Sequence, residues 1–145
     1  MDETYVKVRG VWKYLYRAVD KAGATVDFLL TATRDHKSTL RFPRKAFDQH
    51  GTHEKITIDK SAANTAAIES YNAVHTAGIE IRQIKYLNNV VAQDHRAVKR
   101  VLRPMLGLKS FRAAAATLAS IELMHMIRKG QLRECPETGG ITRRF

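Results

Sequence analysis

The sequence predicts an α/β fold in which one mixed sheet carries helices on both faces, with a further helix at the C-terminal end. The opening third of the chain is rich in β-branched and aromatic residues interrupted by turn residues, which is typical of antiparallel strands. The remainder alternates short strand-like runs with longer segments of helical period. A meander of strands followed by such alternation favours a single mixed sheet between two helical layers.

Three strands open the chain. Residues 4–8 and 11–19 have strand composition, and Gly10 between them marks a tight reversal, so they are predicted to form a hairpin. Residues 20–23 make the next turn, and residues 25–33 continue as a third strand. These strands are therefore expected to pair in chain order as an antiparallel meander.

A helix, a strand and a second helix follow the meander. Residues 35–48 have apolar side chains at helical spacing, although Pro43 is expected to kink or split this helix. Residues 54–59 alternate as a short strand. Ser61 is then a suitable N-cap for a helix over residues 62–77.

One more strand and two helices complete the predicted order βββαβαβαα. Residues 79–84 are the fifth strand, and a helix over residues 88–103 starts at an asparagine cap and ends before Pro104. The last helix covers residues 110–129, with Gly130 as its C-terminal signal.

The C-terminal end of the chain carries two further expectations. Met124, Met126 and Ile127 are expected to fill the core, and His125 beside them is interpreted as a satisfied interior histidine rather than a ligand. The tail, residues 131–145, has no periodicity and is expected to be loose, which leaves residues 1–130 as one domain.

The charge balance favours a polyanionic partner. The chain of 145 residues has 25 Lys and Arg against 14 Asp and Glu, a formal charge of +11. Such an excess makes nucleic acid the first candidate partner. A merely soluble basic surface, or RNA binding of the ribosomal kind, is the alternative that composition leaves open.

Composition also limits other classes of function. Cys135 is the only cysteine, which excludes an internal disulfide and a multi-cysteine zinc site and favours a reducing, cytoplasmic setting. The first residues lack the basic and apolar regions of an export signal. The most apolar stretch, residues 113–127, contains Ser120, Glu122 and His125 and is shorter than the ~18 residues typical of a membrane span. No membrane partner is expected.

Five segments in the same order resemble bacterial insertion-sequence transposases of the DDE type, in the insertion-sequence-six group. The predicted element order is also that of the ribonuclease-H-like fold, to which the catalytic domains of these transposases belong. The segments span almost the whole chain: residues 2–8, 14–20, 27–30, 85–89 and 124–131. The resemblance implies metal-dependent cleavage and strand transfer of DNA, with insertion-sequence ends and target DNA as partners and a homo-oligomer during transposition.

The resemblance implies a site of three carboxylates that hold two divalent cations, Mg²⁺ or Mn²⁺. One cation activates a water or a DNA 3′-hydroxyl and the other stabilises the leaving oxygen. Carboxylate oxygens suit such hard cations. The first carboxylate matches Asp2 on the first strand, and the second matches Asp59 at the end of the fourth. Without the resemblance, Asp2 would be read as a terminal residue and Asp59 as a turn or cap residue.

The third carboxylate is missing, because the position that the family fills with Glu is here Ala92. Asp94 is a poor substitute, since two residues along a helix rotate a side chain by about 200°. Lys99 matches the basic residue that the family places two turns further on. The site is therefore expected to be weakened at one position, through decay of the gene copy or through a substitution that traps an uncleaved state.

A basic segment between Arg82 and Arg112 is the predicted DNA-binding face. Asp94 is its only acidic residue, and the basic side chains are Arg82, Lys85, Arg96, Lys99, Arg100, Arg103, Lys109 and Arg112. The predicted DNA contacts are Lys85, Arg96, Lys99, Arg100 and Arg103. Such side chains neutralise phosphates without reading bases, although a solvated charged face is the alternative for any one of them.

The family places a helix-turn-helix region before the first catalytic strand, and this region is expected to be absent from the chain. A non-catalytic nucleic-acid binder, or a defective partner that joins intact subunits, is the competing function.

Overall fold

The chain folds as strands and helices in alternation, and the computed structural model describes residues 1–34, 36–51, 54–58, 62–83, 89–105, 107–134 and 141–143. Within those ranges the strands are β1 Asp2–Val8, β2 Val11–Val19, β3 Thr25–Thr31, β4 Lys55–Ile58, β5 Glu80–Gln83, β6 Leu132–Glu134 and β7 Ile141–Arg143. The helices are α1 His36–His50, α2 Ala62–His75, α3 Asn89–Leu102 and α4 Phe111–Arg128. The predicted order βββαβαβαα is confirmed through α4.

Strands β1, β2 and β3 pair antiparallel in chain order, as the sequence predicted. Val8 and Val11 are opposite each other, so Arg9 and Gly10 alone make the turn. Both have positive φ, 51° and 78°, which is the backbone that a two-residue hairpin requires and that glycine adopts without strain. The register places Asp2 opposite Arg17.

Strands β4 and β5 form a parallel ladder beside the meander. The amino group of Met1 donates a hydrogen bond of 2.8 Å to the carbonyl of Thr57, so the first residue of the chain is held against β4. This bond brings the start of β1 to the end of β4. Asp59, two residues after Thr57, lies outside the described residues.

Two apolar cores lie on opposite faces of the strands, because successive side chains of a strand point to opposite sides. Leu15 and Tyr16 are both buried, and they belong to different cores. The core beside α1 and α2 contains Met1, Tyr16, Phe42, Phe47, Ile56, Ile58, Ile68, Tyr71 and Ile79. The core beside α3 and α4 contains Val6, Val8, Leu15, Val98, Ala114 and Leu118. Helices therefore cover both faces of the strands, as predicted. Among the described residues, the strands are hydrogen-bonded as a three-stranded sheet, β1-β2-β3, and as two-stranded sheets, β4-β5 and β6-β7.

Helix α1 runs through Pro43 as one element, so the expected split does not occur. Pro43 is buried, and Phe42 beside it is fully buried in the first core. The apolar contacts of this turn offset the backbone hydrogen bond that proline cannot donate.

Helix α4 has the predicted ends but not the predicted packing. The Ser110 hydroxyl caps its first turn by accepting from the Ala113 amide at 3.1 Å. Met126 is buried, whereas Met124 and Ile127 are 53% and 42% exposed, so the expectation that both fill the core was wrong. The helix is apolar on nearly all sides, and its sequence therefore gives no period that tells the buried face from the exposed one.

The tail begins with a residue that binds the sheet. The Gln131 side chain accepts from the Thr25 amide and donates to the Thr25 carbonyl, both at 2.9 Å. Beyond it, β6 and β7 pair antiparallel, a pairing that the sequence pattern did not predict. In the described ranges, no helix has the length and apolar character needed to cross a membrane.

Candidate active site

Asp2 lies at the start of β1, where its carboxylate faces α3. One oxygen, Oδ1, accepts from the Glu3 amide at 2.8 Å. The other, Oδ2, lies 3.7 Å from Nε2 of His95. The Asp2 side chain is 20% exposed, so this carboxylate is at the surface but is partly enclosed by protein. Asp59, the second predicted ligand, cannot be placed because it falls outside the described residues.

His95 is the buried neighbour of Asp2, and sequence reasoning did not single it out. The residue is only 6% exposed, and neither ring nitrogen has a hydrogen-bond partner among the described residues. Burial, aided by the positive charges of Arg17 and Lys99, lowers the pKa of His95 to about 3. The imidazole is therefore neutral at physiological pH.

Ala92 and His95 lie on neighbouring turns of α3, on the same side of the helix. A separation of three residues is a rotation of about 300°, which leaves the two side chains roughly 60° apart. His95 faces Asp2, so the small side chain of Ala92 belongs to the same side of the site. Lys99 continues this side one turn after His95, and its charge acts on that histidine.

Asp94 points the other way and is held by three nitrogen donors. It accepts from Arg17 at 2.7 Å, Lys129 at 2.6 Å and His125 at 2.9 Å. Burial raises the pKa of Asp94, but the hydrogen bond from Lys129 and the charge of Arg17 together outweigh it, so the net shift is downward. This carboxylate joins β2, α3 and α4 and is committed to that interface.

Glu122 is the second carboxylate on Arg17. Its Oε2 lies 2.8 Å from the same guanidinium nitrogen, and both side chains are fully buried. Burial raises the pKa of Glu122, and the single contact with Arg17 does not restore it. Glu122 Oε1 and two nitrogens of Arg17 have no hydrogen-bond partner among the described residues. Sequence reasoning noted Glu122 only as an interruption of an apolar run and did not find this cluster.

The predicted basic residues of α3, together with Arg103 directly after its end, form one stripe along the outer face of the helix. Arg96, Arg100 and Arg103 are exposed and Lys99 is half-buried, and their spacing of three and four residues keeps them on one side of the helix. No carboxylate pairs with any of the four in the described part of the chain. Ala92 lies four residues before Arg96, so the stripe extends from that position.

Two other members of the predicted basic segment contribute differently. Arg82 lies on β5 and pairs with Glu80 at 3.2 Å, so its charge is offset within the protein. Lys55 pairs with the same carboxylate at 3.2 Å. Lys85 lies outside the described residues. Among the described residues of the segment, Arg82 is therefore offset by a carboxylate, whereas the basic residues of α3 are not.

The described residues fit a divalent-cation site only in part. The Asp2 carboxylate supplies an oxygen of the right chemistry. Within the described ranges, no group of three or more His, Cys, Asp or Glu is placed to hold a metal ion. Ala92 has no oxygen to offer, so a three-carboxylate site is not formed by the residues that can be placed.

The match of the chain to known proteins decides its family. Residues 1–131 match the family model of the DDE domain of IS240-type transposases. The chain belongs to this DDE family of insertion-sequence transposases. It is 34% identical over 135 residues to the Staphylococcus aureus transposases of the insertion sequence-like element IS431mec and of IS257 in transposon Tn4003. That match covers 92% of the chain but 58% of each transposase, so the chain spans about three-fifths of their length.

Solved structures place this DDE domain in the ribonuclease-H-like fold, as the sequence predicted. The magnesium-bound HTLV-2 integrase catalytic core domain superimposes in its trimeric form with a TM-score of 0.64, over 95% of this chain and 87% of that core. The dimeric form gives 0.63, over 93% and 86%. Sequence identity is 16% in both cases, so the likeness concerns the fold.

Proposed function

We propose that this chain is the catalytic domain of a DNA transposase whose metal-dependent cleavage and strand transfer of insertion-sequence ends are impaired by Ala92. The observation that carries the proposal is the shared face of α3. On that face Ala92 lies one turn from the histidine beside Asp2, and a stripe of basic residues continues from it. A DNA backbone along this stripe would pass the Asp2 carboxylate.

Asp2 and Asp59 are the residues that would hold divalent cations in this proposal. When bound, Mg²⁺ or Mn²⁺ supplies an activated attacking oxygen and stabilises the leaving oxygen. Asp2 is anchored by the Glu3 amide and remains partly open to solvent, which suits a ligand to a hydrated cation. Ala92 would leave one coordination position to water and would leave more of the cation charge uncompensated.

The substitution Ala92→Glu tests the vacant position. It should raise Mn²⁺ affinity measured by calorimetry, and a further Asp59→Ala should remove the gain. Gln93→Glu is the matched control, because it adds the same charge one residue later, rotated by about 100° from the site. Equal affinity in the Ala92→Glu and parent chains, or an equal gain with Gln93→Glu, would contradict the assignment.

DNA binding through the stripe should be sensitive to salt and largely independent of sequence. Phosphate neutralisation releases counterions, so the affinity should fall steeply as salt is added. Replacing Lys99, Arg100 and Arg103 by Ala should reduce the slope of log affinity against log salt by roughly 2 to 3. An equal loss of charge on α1, with Lys37, Arg41 and Arg44 replaced by Ala, is the control and should leave the slope nearly unchanged. If the α1 substitutions reduce the slope more than the α3 substitutions do, DNA binds another surface.

An assay of strand-transfer activity distinguishes the proposed transposase from the competing function. Ala92 favours the competing function, a non-catalytic DNA-binding partner of intact transposase subunits. The strand-transfer assay uses DNA that carries insertion-sequence ends, with Mn²⁺ and with a chelator. Product that the chelator abolishes in the Ala92→Glu chain, with little or none in the parent, supports an impaired enzyme. DNA binding without product in either chain supports the binding partner.

Self-association is part of the proposed function. The HTLV-2 integrase core occurs as a dimer and as a trimer. The outer face of α4 presents Leu123, Met124 and Ile127, each at least 42% exposed, which suits contact with a second copy. Leu123→Ser with Ile127→Ser should shift sedimentation toward the monomer. Val74→Ser on α2, at an apolar position that is 76% exposed, is the control. A monomeric parent chain would refute this part of the proposal.

A further inference from the structure

We infer that His95 is the positioning residue of the site: its Nε2–H holds the Asp2 carboxylate in one orientation. The inference rests on the proposed function, in which Asp2 is a ligand. It gives a role to a residue other than the three predicted metal-binding positions, and it applies to the chain with and without bound metal.

The geometry of the pair carries the first step. Asp2 Oδ2 and His95 Nε2 are 3.7 Å apart, whereas a hydrogen bond spans about 2.7 to 3.2 Å. In the proposed contact, a rotation of either side chain brings these two atoms within hydrogen-bond distance. Oδ1 is already fixed by the Glu3 amide, so a second donor at Oδ2 would fix the plane of the carboxylate.

The surroundings of the imidazole carry the second step. Both ring nitrogens are buried, and neither has a hydrogen-bond partner among the described residues. An unpaired buried donor is costly, so the ring gains by directing its one N–H at an available acceptor. The Asp2 carboxylate is the acidic group beside Nε2. This contact favours the tautomer with hydrogen on Nε2.

The tautomer test uses nitrogen NMR of the full chain labelled with ¹⁵N-histidine. The His95 signals are assigned by their absence in His95→Gln. Chemical shifts of the Nε2–H tautomer, which change when Asp2→Ala removes the acceptor, are expected. Shifts of the Nδ1–H tautomer, or shifts that Asp2→Ala leaves unaltered, would overturn the inference. This readout needs neither metal nor DNA.

The rescue test measures Mn²⁺ affinity in the Ala92→Glu background. His95→Ala should weaken it by roughly 10- to 100-fold, the usual effect of losing a partner of a metal ligand. Gln places its amide nitrogen near the position of Nε2, whereas the shorter Asn reaches only as far as Nδ1. His95→Gln should therefore recover most of the affinity and His95→Asn little of it. Equal affinities in the Gln and Asn variants would indicate a packing role and overturn the inference.

The two proposals fail in different ways. If Asp2→Ala leaves Mn²⁺ affinity unchanged, Asp2 is not a ligand and the proposed metal site is wrong, whatever the tautomer of His95. If Asp2→Ala abolishes binding while His95→Ala does not alter it, the metal site stands and the role of His95 is wrong.

Discussion

Removal of the Arg17 guanidinium should destabilise the domain by about 3 kcal/mol. The substitution Arg17→Met keeps an unbranched apolar chain of similar reach but leaves Glu122, which is fully buried, without its cation. Breaking a buried ion pair from one side usually costs about 3 to 5 kcal/mol. The lower end applies, because Asp94 keeps Lys129 and His125 and because burial already raises the pKa of Glu122. For a domain of this size, the loss lowers Tm by roughly 10 °C.

Urea unfolding at neutral pH measures the effect. Arg128→Met at the exposed end of α4 is the control, and it should alter the unfolding free energy by less than about 0.5 kcal/mol. Adding Glu122→Leu to Arg17→Met should recover at least about 1 kcal/mol, because the unpaired carboxylate is then gone. A loss below about 1 kcal/mol for Arg17→Met, or a double variant as unstable as the single one, would refute the reasoning.

Three further outcomes are expected. The pKa of Glu122 in the folded protein lies above its ordinary 4.5, so the stability that this side chain contributes is fully present below pH 4.5. That stability is lost as the pH rises through the folded pKa. Parent stability measured by urea unfolding should accordingly fall relative to Glu122→Gln above pH 4.5, and parallel pH curves would contradict this. The folded pKa of Asp94 lies below 3.8, so the parent should lose stability relative to Asp94→Asn as pH falls below that value, and a constant difference would contradict it. Ser110→Ala should cost about 1 kcal/mol by loss of the α4 cap, whereas Ser120→Ala, an exposed mid-helix control, should cost less.

Local signals in the sequence were sufficient for most of the fold. The turn at Gly10 and the stop at Gly130 each depend on a few adjacent residues, and each was found where the sequence placed it. The run through Pro43 was not predictable in this way. The packing of Phe42 and its neighbours outweighs the local cost of proline, and that packing depends on residues far along the chain.

Likewise, only part of the candidate site could be predicted from local sequence signals. Asp2 and the basic residues of α3 could be named from the sequence, because their residue types and spacing are visible there. His95 and the cluster of Arg17, Asp94 and Glu122 could not, since α3 and α4 must first pack on β2 before these side chains meet. A buried arginine is rare in proteins, so one within an apolar strand such as β2 was the available signal that acidic partners lay elsewhere.

The two sides of α3 explain how this chain keeps its fold with alanine at position 92. Val91, Asp94 and Val98 bury the inner side and hold the helix to the sheet, whereas Ala92 lies toward the outer side and belongs to neither apolar core. A glutamate at position 92 would bring a second negative charge toward Asp2, and without a cation that repulsion is a cost. Alanine removes the cost and has the highest helix propensity. Without a cation, folding thus favours alanine over glutamate at position 92, and alanine there is compatible with a stable chain that carries the basic stripe.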